Sequence, residues 1–157
     1  MSEKNNIKMF GFICMIWMMI SLAGCAKEQS ATYLIDEEDI KTEVTLKAKG
    51  DEVYQQVATS RLTYDNLAVL DEKEAKLKMA ERSSLYKGVA GVEYGVSYSN
   101  EVVVETVTID YQEVEWSELA EVEGFFISSS EIKNGISFKG TTELLESSGA
   151  QKIKSDS

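Results

Sequence analysis

Carboxylates are the most abundant side chains of this sequence that could perform chemistry. Asp and Glu number 27 against 16 Lys and Arg, and His is absent. Several carboxylate oxygens together could bind a hard cation such as Ca²⁺. Neither of the two acidic clusters follows the calcium-loop pattern or carries its turn glycine, so we interpret both as solvated charged faces and predict no metal site. The clusters consist of Asp36, Glu37, Glu38 and Asp39, and of Glu113, Glu115, Glu118, Glu121 and Glu123.

Covalent catalysis has few residues available. Without His, a Ser-His-Asp triad and every His-containing zinc site are excluded. Two S-x-x-K patterns occur, at Ser84–Lys87 and Ser130–Lys133, but this composition produces such matches by chance and neither is followed by the companion motifs. Two carboxylates about 5 or 6.5–9.5 Å apart could hydrolyse a glycosidic bond, which keeps an envelope hydrolase as the alternative function. We predict no catalytic residue and no cofactor.

The first 24 residues have the organisation of an export signal. Lys4 and Lys8 precede Met9–Leu22, an apolar run of 14 residues without a charge. As a helix this run would be about 21 Å long, which is shorter than the hydrocarbon core of about 30 Å. A signal peptide is therefore favoured over a membrane-spanning helix.

A cysteine ends this segment in a specific context. Leu22-Ala23-Gly24-Cys25 has the pattern of a bacterial lipobox, in which the small Ala23 and Gly24 fit a peptidase cleft. The thiol of Cys25 can accept a thioether-linked diacylglyceryl group, and two acyl chains suffice for stable anchoring. We predict peptidase recognition at Leu22, Ala23 and Gly24, cleavage before Cys25, and anchoring on the extracytoplasmic face of the cell membrane.

Cleavage would leave a single domain. We predict a lipidated tether at residues 25–31, a folded domain at 32–154 and a tail at 155–157. Loss of Glu3, Lys4 and Lys8 changes the net charge from −11 to −12. Nucleic acid is then a poor partner, because phosphate binding relies on Lys and Arg. The expected partners are the membrane, through the lipid, and an unknown envelope protein or small ligand.

The order of elements predicts the α+β class. Glu43–Lys49 and Val53–Leu62 form a predicted hairpin around Gly50-Asp51, and Val92–Tyr98 and Val102–Tyr111 form a second one. Between them Leu70–Lys87 has helical pairs and an apolar row. A short helix is possible at Trp116–Val122, and Thr141–Ser148 predicts a C-terminal helix with Leu144 and Leu145 inward. We therefore predict an antiparallel sheet in ββαββ order, with the central and C-terminal helices packed on one face.

Apolar and aromatic residues define the predicted core. We expect Leu77, Val104 and Ile109 to be buried. Tyr94 and Tyr98 alternate with polar residues on one strand, so burial against the helix is favoured over an exposed aromatic ligand site that would also include Tyr111 and Trp116.

Several segments resemble a known family. Tyr86–Tyr94 (YKGVAGVEY) and Thr106–Tyr111 (TVTIDY) carry the resemblance, together with Gly135-Ile136-Ser137, Leu144-Leu145 and Gly149. Over roughly Thr32–Ile153 the chain is similar to the YehR-like lipoproteins, small bacterial lipoproteins with one domain of unknown function. Ala150 departs from the aromatic residue expected after the helix-ending glycine. The resemblance implies a compact α+β fold on the outer face of a membrane, and it implies no catalytic residue.

The primary functional hypothesis follows from the predicted anchor and from the lack of a catalytic motif. We expect a lipid-anchored, non-enzymatic extracytoplasmic protein that binds a partner or assists at the cell envelope. The hydrolase alternative requires two carboxylates that converge in a deep cleft, one of them with a raised pKa.

Overall fold

Strands dominate the part of the chain that the computed structural model describes, residues 26–37, 40–99, 101–120 and 134–156. The elements are β1 (Glu28–Glu37), β2 (Ile40–Lys49), β3 (Glu52–Thr63), α1 (Tyr64–Leu67), α2 (Glu72–Ser84), β4 (Val92–Ser99), β5 (Val102–Asp110), α3 (Trp116–Leu119), β6 (Ile136–Ser137), α4 (Phe138–Ser147) and β7 (Gln151–Asp156).

The strands form one antiparallel sheet, which corrects the predicted α+β class and its ββαββ order. Within the described residues the sheet has seven strands in the order β4-β5-β3-β2-β1-β7, and β6 pairs with β3. Both predicted hairpins are present as β2–β3 and β4–β5. The predicted class is wrong because three further strands extend this sheet, so that the fold is β-rich with few helices.

The missed strands have weak local signals. β1 begins at Glu28, so residues 28–31 of the predicted tether belong to the sheet. The polar residues at the start of β1 give no strand signal in the sequence, whereas pairing with β2 buries Ala31 and Tyr33. All residues of β7 are exposed, which removes the alternation that identifies a half-buried strand. β7 reaches Asp156 and therefore includes most of the predicted tail.

One face of the sheet carries the core. Direct cross-strand neighbours share a face, and the register aligns Ala31, Leu46, Gln56, Ile109 and Val92 in one row. Three buried clusters lie on this face. Ala75 and Met79 of α2 join the first, Leu145 of α4 packs on the second, and Leu119 of α3 belongs to the third.

The helix predicted at Leu70–Lys87 exists, but it faces the sheet with other residues. Asp71 caps α2, whose buried residues are Ala75 and Met79. Leu77 is 63% exposed, so its predicted burial is wrong. Two residues along an α-helix correspond to a rotation of about 200°, which places Leu77 opposite the side that packs on the sheet.

Of the other core predictions, some are confirmed and some are wrong. Ile109 is buried as predicted, whereas Val104 is only half-buried and lies on the opposite face from Val103 and Ile109. The C-terminal helix begins at Phe138 and has Leu145 packed inward, but Leu144 is 68% exposed. The predicted short helix is confirmed over Trp116–Leu119. Its continuation to Val122 lies outside the described residues.

Candidate functional site

The predicted lipidation and peptidase residues, Leu22, Ala23, Gly24 and Cys25, lie outside the described residues, but the chain is bonded to the sheet directly after them. The backbone N–H of Gly50 donates to the carbonyl of Lys27 at 2.9 Å. The Gln29 side-chain amide donates to the carbonyl of Gly50. The second residue after Cys25 is therefore already part of the hydrogen-bonded fold.

The strand register defines two ends of the sheet. The N-terminal end carries the pairs Glu28–Lys49 and Gln55–Asp110. The far end carries the β1–β2 connection after Glu37 and the pair Thr63–Val102. Since β1 has ten residues, about 33 Å separates the two ends.

At the N-terminal end, Asp51 ties the β2–β3 turn to α4. Its carboxylate accepts from the backbone N–H of Lys139 and from the Ser137 hydroxyl, both at 2.8 Å. The Phe138 N–H donates to the Asp51 carbonyl at 2.7 Å. The hydrogen bond from Lys139 is the largest cause that lowers the pKa of Asp51, followed by that from Ser137. Asp51 is thus fully engaged at this junction, and an open pocket of about 460 Å³ lies at the same end beside Glu28, Lys47 and Tyr54.

The far end carries an open pocket. Its volume is about 500 Å³, and Ile35, Glu37, Ile40 and Thr42 line it. The pocket lies between two core clusters, because Ile40 packs against the cluster under α2 and Ile35 against the cluster under α4. At its floor the hydroxyls of Thr42 and Ser60 are 2.9 Å apart. The volume is in the range of ligand sites.

A buried ion pair lies further along the same row of side chains. Ser60 pairs with Glu105 across β3 and β5, and Glu105 is 4% exposed. Arg82 donates to both carboxylate oxygens, from Nε at 2.9 Å and from Nη2 at 2.7 Å. This bidentate bond raises the pKa of Arg82. The carboxylate of Glu105 is therefore held by a cation through both of its oxygens.

Two tyrosines cover this ion pair. Tyr86 and Tyr94 stack with ring centroids 5.3 Å apart. Burial is the main cause that raises the pKa of Tyr94, and the Glu105 carboxylate raises that pKa further. Tyr94 and Tyr98 pack against the buried cluster under α2, which confirms their predicted place in the core. Tyr111 stacks on Trp116 with centroids 5.6 Å apart.

Sequence reasoning missed the ion pair, although one signal was present. Glu105 has the same strand parity as the buried Val103 and Ile109, so its side chain must point toward the core. Arg82 lies one helical turn after Met79, and its long side chain reaches the same row. Parity alone could have identified the buried acid, but not its partner.

The two predicted acidic clusters lie at opposite ends of the molecule. Asp36 and Glu37 end β1 at the far end, whereas Glu113, Glu115 and Glu118 follow β5 at the N-terminal end. Glu38, Asp39, Glu121 and Glu123 lie outside the described residues. Within the described ranges, no three metal-binding side chains form a group that could hold an ion.

Two further sequence features have structural explanations. The Ser84 hydroxyl of the first S-x-x-K pattern donates to the Glu81 carbonyl at 2.6 Å, and Ser130 lies outside the described residues. Among the residues that the structure describes, no helix has both the length and the apolar character needed to cross a membrane.

Comparisons with known proteins identify relatives along nearly the whole chain. The uncharacterized lipoprotein Lmo0207 of Listeria monocytogenes is 26% identical over 154 residues, which cover 98% of this chain and 97% of the relative. The uncharacterized lipoprotein YehR of Escherichia coli is 26% identical over 148 residues, which cover 94% and 97%. The NMR structure of E. coli YehR superposes with a TM-score of 0.72 at 25% identity, covering 83% of this chain and 94% of that chain.

These relatives confirm the resemblance to the YehR-like lipoproteins. Residues 29–151 match the family described as "Protein of unknown function (DUF1307)". This match includes the ion pair, the pocket and the strands from β1 to β6. The chain therefore belongs to the DUF1307 family of proteins of unknown function.

Proposed function

We propose that this chain is a lipid-anchored protein on the extracytoplasmic face of the cell membrane, where it acts as a non-enzymatic binding protein. Two observations support the anchor. Leu22-Ala23-Gly24-Cys25 follows an apolar run too short to span a membrane comfortably. Relatives that align along nearly the full length carry the name lipoprotein.

The start of β1 carries the proposal. β1 begins at Glu28, three residues after Cys25. Three extended residues span only about 10 Å, so a lipid on Cys25 holds the N-terminal end of the sheet against the membrane. The far end, with its pocket beside Ile35 and Ile40, then points away from the bilayer toward possible partners.

Binding is favoured over hydrolysis by the state of the buried acid. Glu105 is bonded through both oxygens to Arg82, so this buried acid is engaged by a cation and is not a free nucleophile. The pocket at the far end instead combines aliphatic side chains with the Thr42 hydroxyl and the Glu37 carboxylate. Such a mixture suits recognition more than acid–base chemistry.

Replacement of the two cysteines tests the anchor. Cys25→Ser should abolish lipidation, because serine cannot form the thioether, and cleavage that depends on the lipid should fail. Cys14→Ser is the matched control and should change neither lipid nor cleavage. The measurement is the intact mass of the N-terminal peptide from cells. A wild-type peptide that begins at Cys25 without lipid, or that still contains Met1–Gly24, would contradict the anchor.

A further inference from the structure

The far end of the sheet gathers carboxylates on the side that bears the helices. They come from separate parts of the chain: the end of β1, α1, the first turn of α2 and the β4–β5 turn. We call this set the far-end acidic surface. Its members are Glu37, Asp65, Asp71, Glu72, Glu74 and Glu101.

Tyr64 lies close to three of these carboxylates. Its backbone N–H donates to the Glu101 carbonyl at 3.1 Å. Burial is the first cause that raises the pKa of Tyr64, and the charges of Glu72, Asp71 and Glu101 raise that pKa further. Three acids from two elements therefore act on one ring.

Cations do not neutralise this surface. Three lysines of α2, Lys73, Lys76 and Lys78, are its basic neighbours. Lys76 is paired with Glu72 at 2.6 Å, and Lys78 donates to the Leu67 carbonyl at 2.9 Å. Lys41 pairs with Asp36 at 3.7 Å on the opposite face of the sheet. The helix-bearing side of the far end thus keeps an excess of negative charge.

An exposed apolar residue lies beside these carboxylates. Leu70 is 91% exposed, although its backbone is held: the Leu70 N–H donates to Glu74 Oε2 at 2.8 Å. The neighbouring Val69 packs against the same cluster as Ile40, which lines the pocket. Leu70 and the pocket are therefore parts of one end of the molecule.

We propose that the far-end acidic surface docks a cationic segment of a partner protein, whose apolar side chains contact Leu70 and enter the pocket beside Ile40. Charge complementarity selects the partner class, because basic side chains would face the carboxylates around Tyr64. Leu70, which is 91% exposed, gives such a partner an apolar side chain to cover beside these carboxylates. This inference deepens the proposed function, since anchoring at Cys25 would turn this end toward the partner.

A binding titration with matched variants tests the proposal. The probe is a fluorescent, uncharged-ended peptide of alternating lysine, leucine and serine, added to the full-length lipidated protein in zwitterionic nanodiscs. The far-end variant is Glu37→Gln, Glu72→Gln and Glu101→Gln. The control variant is Glu113→Gln, Glu115→Gln and Glu118→Gln, which removes the same charge at the N-terminal end of the sheet.

We expect the far-end variant to raise the Kd about tenfold and the control variant to raise it less than about twofold. Leu70→Ser should also weaken binding several-fold, but it should leave the dependence of Kd on salt unchanged. Thermal melts of each variant establish that it is folded. Equal weakening by both charge variants would show that binding depends only on net charge, and it would overturn the proposal. No weakening by the far-end variant would overturn it as well. Neither result bears on the mass of the Cys25 peptide, which tests the anchor separately.

Discussion

One ion pair, Arg82 with Glu105, connects α2 to β5. Glu105 is buried, whereas the Arg82 side chain is 46% exposed. A buried carboxylate is stable only when it is paired and hydrogen-bonded. The planar guanidinium group of Arg82 donates to both oxygens of the Glu105 carboxylate. The pair therefore sets where α2 lies on β5 more than it adds net stability.

At this residue scale, Arg82→Met should destabilise the fold by about 2–3 kcal/mol, because it leaves the Glu105 carboxylate buried without its partner. The expected cost is below that of a fully buried pair, since water reaches the arginine side. Lys73→Met removes the same charge from the exposed side of α2 and should change the free energy of unfolding by less than about 0.5 kcal/mol. Urea melts of both variants measure the difference. Equal losses in the free energy of unfolding would show that only the charge on α2 matters, and not the pairing with Glu105.

At the scale of elements, α2 is a helix whose sequence conceals its buried side. The three leucines of the predicted helix, Leu70, Leu77 and Leu85, are all exposed, whereas Ala75 and Met79 pack on the sheet. The reason lies in the sheet. Tyr94 and Tyr98 of β4 pack against the same cluster as Met79, so the space under α2 near Ala75 suits a small residue.

The packing side of α2 can be tested with two truncations. Met79→Ala should cost about 2–5 kcal/mol, because the cavity it leaves is enclosed by Leu62, Leu67 and Val103. Leu77→Ala should cost less than about 0.5 kcal/mol, since its side chain already contacts water. Denaturant unfolding followed by circular dichroism measures both. A larger loss from Leu77→Ala than from Met79→Ala would assign the opposite side of the helix to the core.

At the scale of the whole molecule, the two ends of the sheet differ. At the N-terminal end Asp51, Ser137 and Lys139 join the β2–β3 turn to α4, and an open pocket lies beside Glu28 and Lys47. The far end exposes Leu70 and the pocket. With a lipid on Cys25 the strands would stand away from the bilayer, and the length of β1 would carry the far end about 33 Å from the N-terminal end.

This orientation predicts a quenching pattern. A fluorophore on Lys49→Cys, at the N-terminal end, should be quenched strongly by spin-labelled lipid headgroups in vesicles that carry the lipidated protein. The same fluorophore on Leu70→Cys should be quenched little, because the quenching falls off over a distance much shorter than the sheet. Both positions are exposed, which makes them a matched pair. Similar quenching at the two positions would mean that the sheet lies flat on the membrane.

The local sequence was sufficient to predict the turns, strands and helices that depend mainly on residues close together in the chain. Gly50 has a φ of 64°, a left-handed conformation that favours glycine, and it forms the turn of β2–β3 where the sequence predicts one. Alternation predicted β4 and β5, and helical pairs predicted α2. The resemblance at Tyr86–Tyr94 and Thr106–Tyr111 also indicated the correct family. The export signal and Cys25 are equally local patterns, and they stay predictions.

Only the tertiary structure decided the features that depend on distant parts of the chain. β1 is a strand because β2 and β7 pair with it on both sides, although its own sequence has little alternation. Glu105 meets Arg82, and Tyr64 meets Glu101, because β-strand pairing brings together residues that the chain separates. Hydrogen bonding between strands and burial under a helix are non-local free energies. A sequence pattern therefore predicts which residues can form a strand or helix, while the completed sheet decides which side of each one is buried.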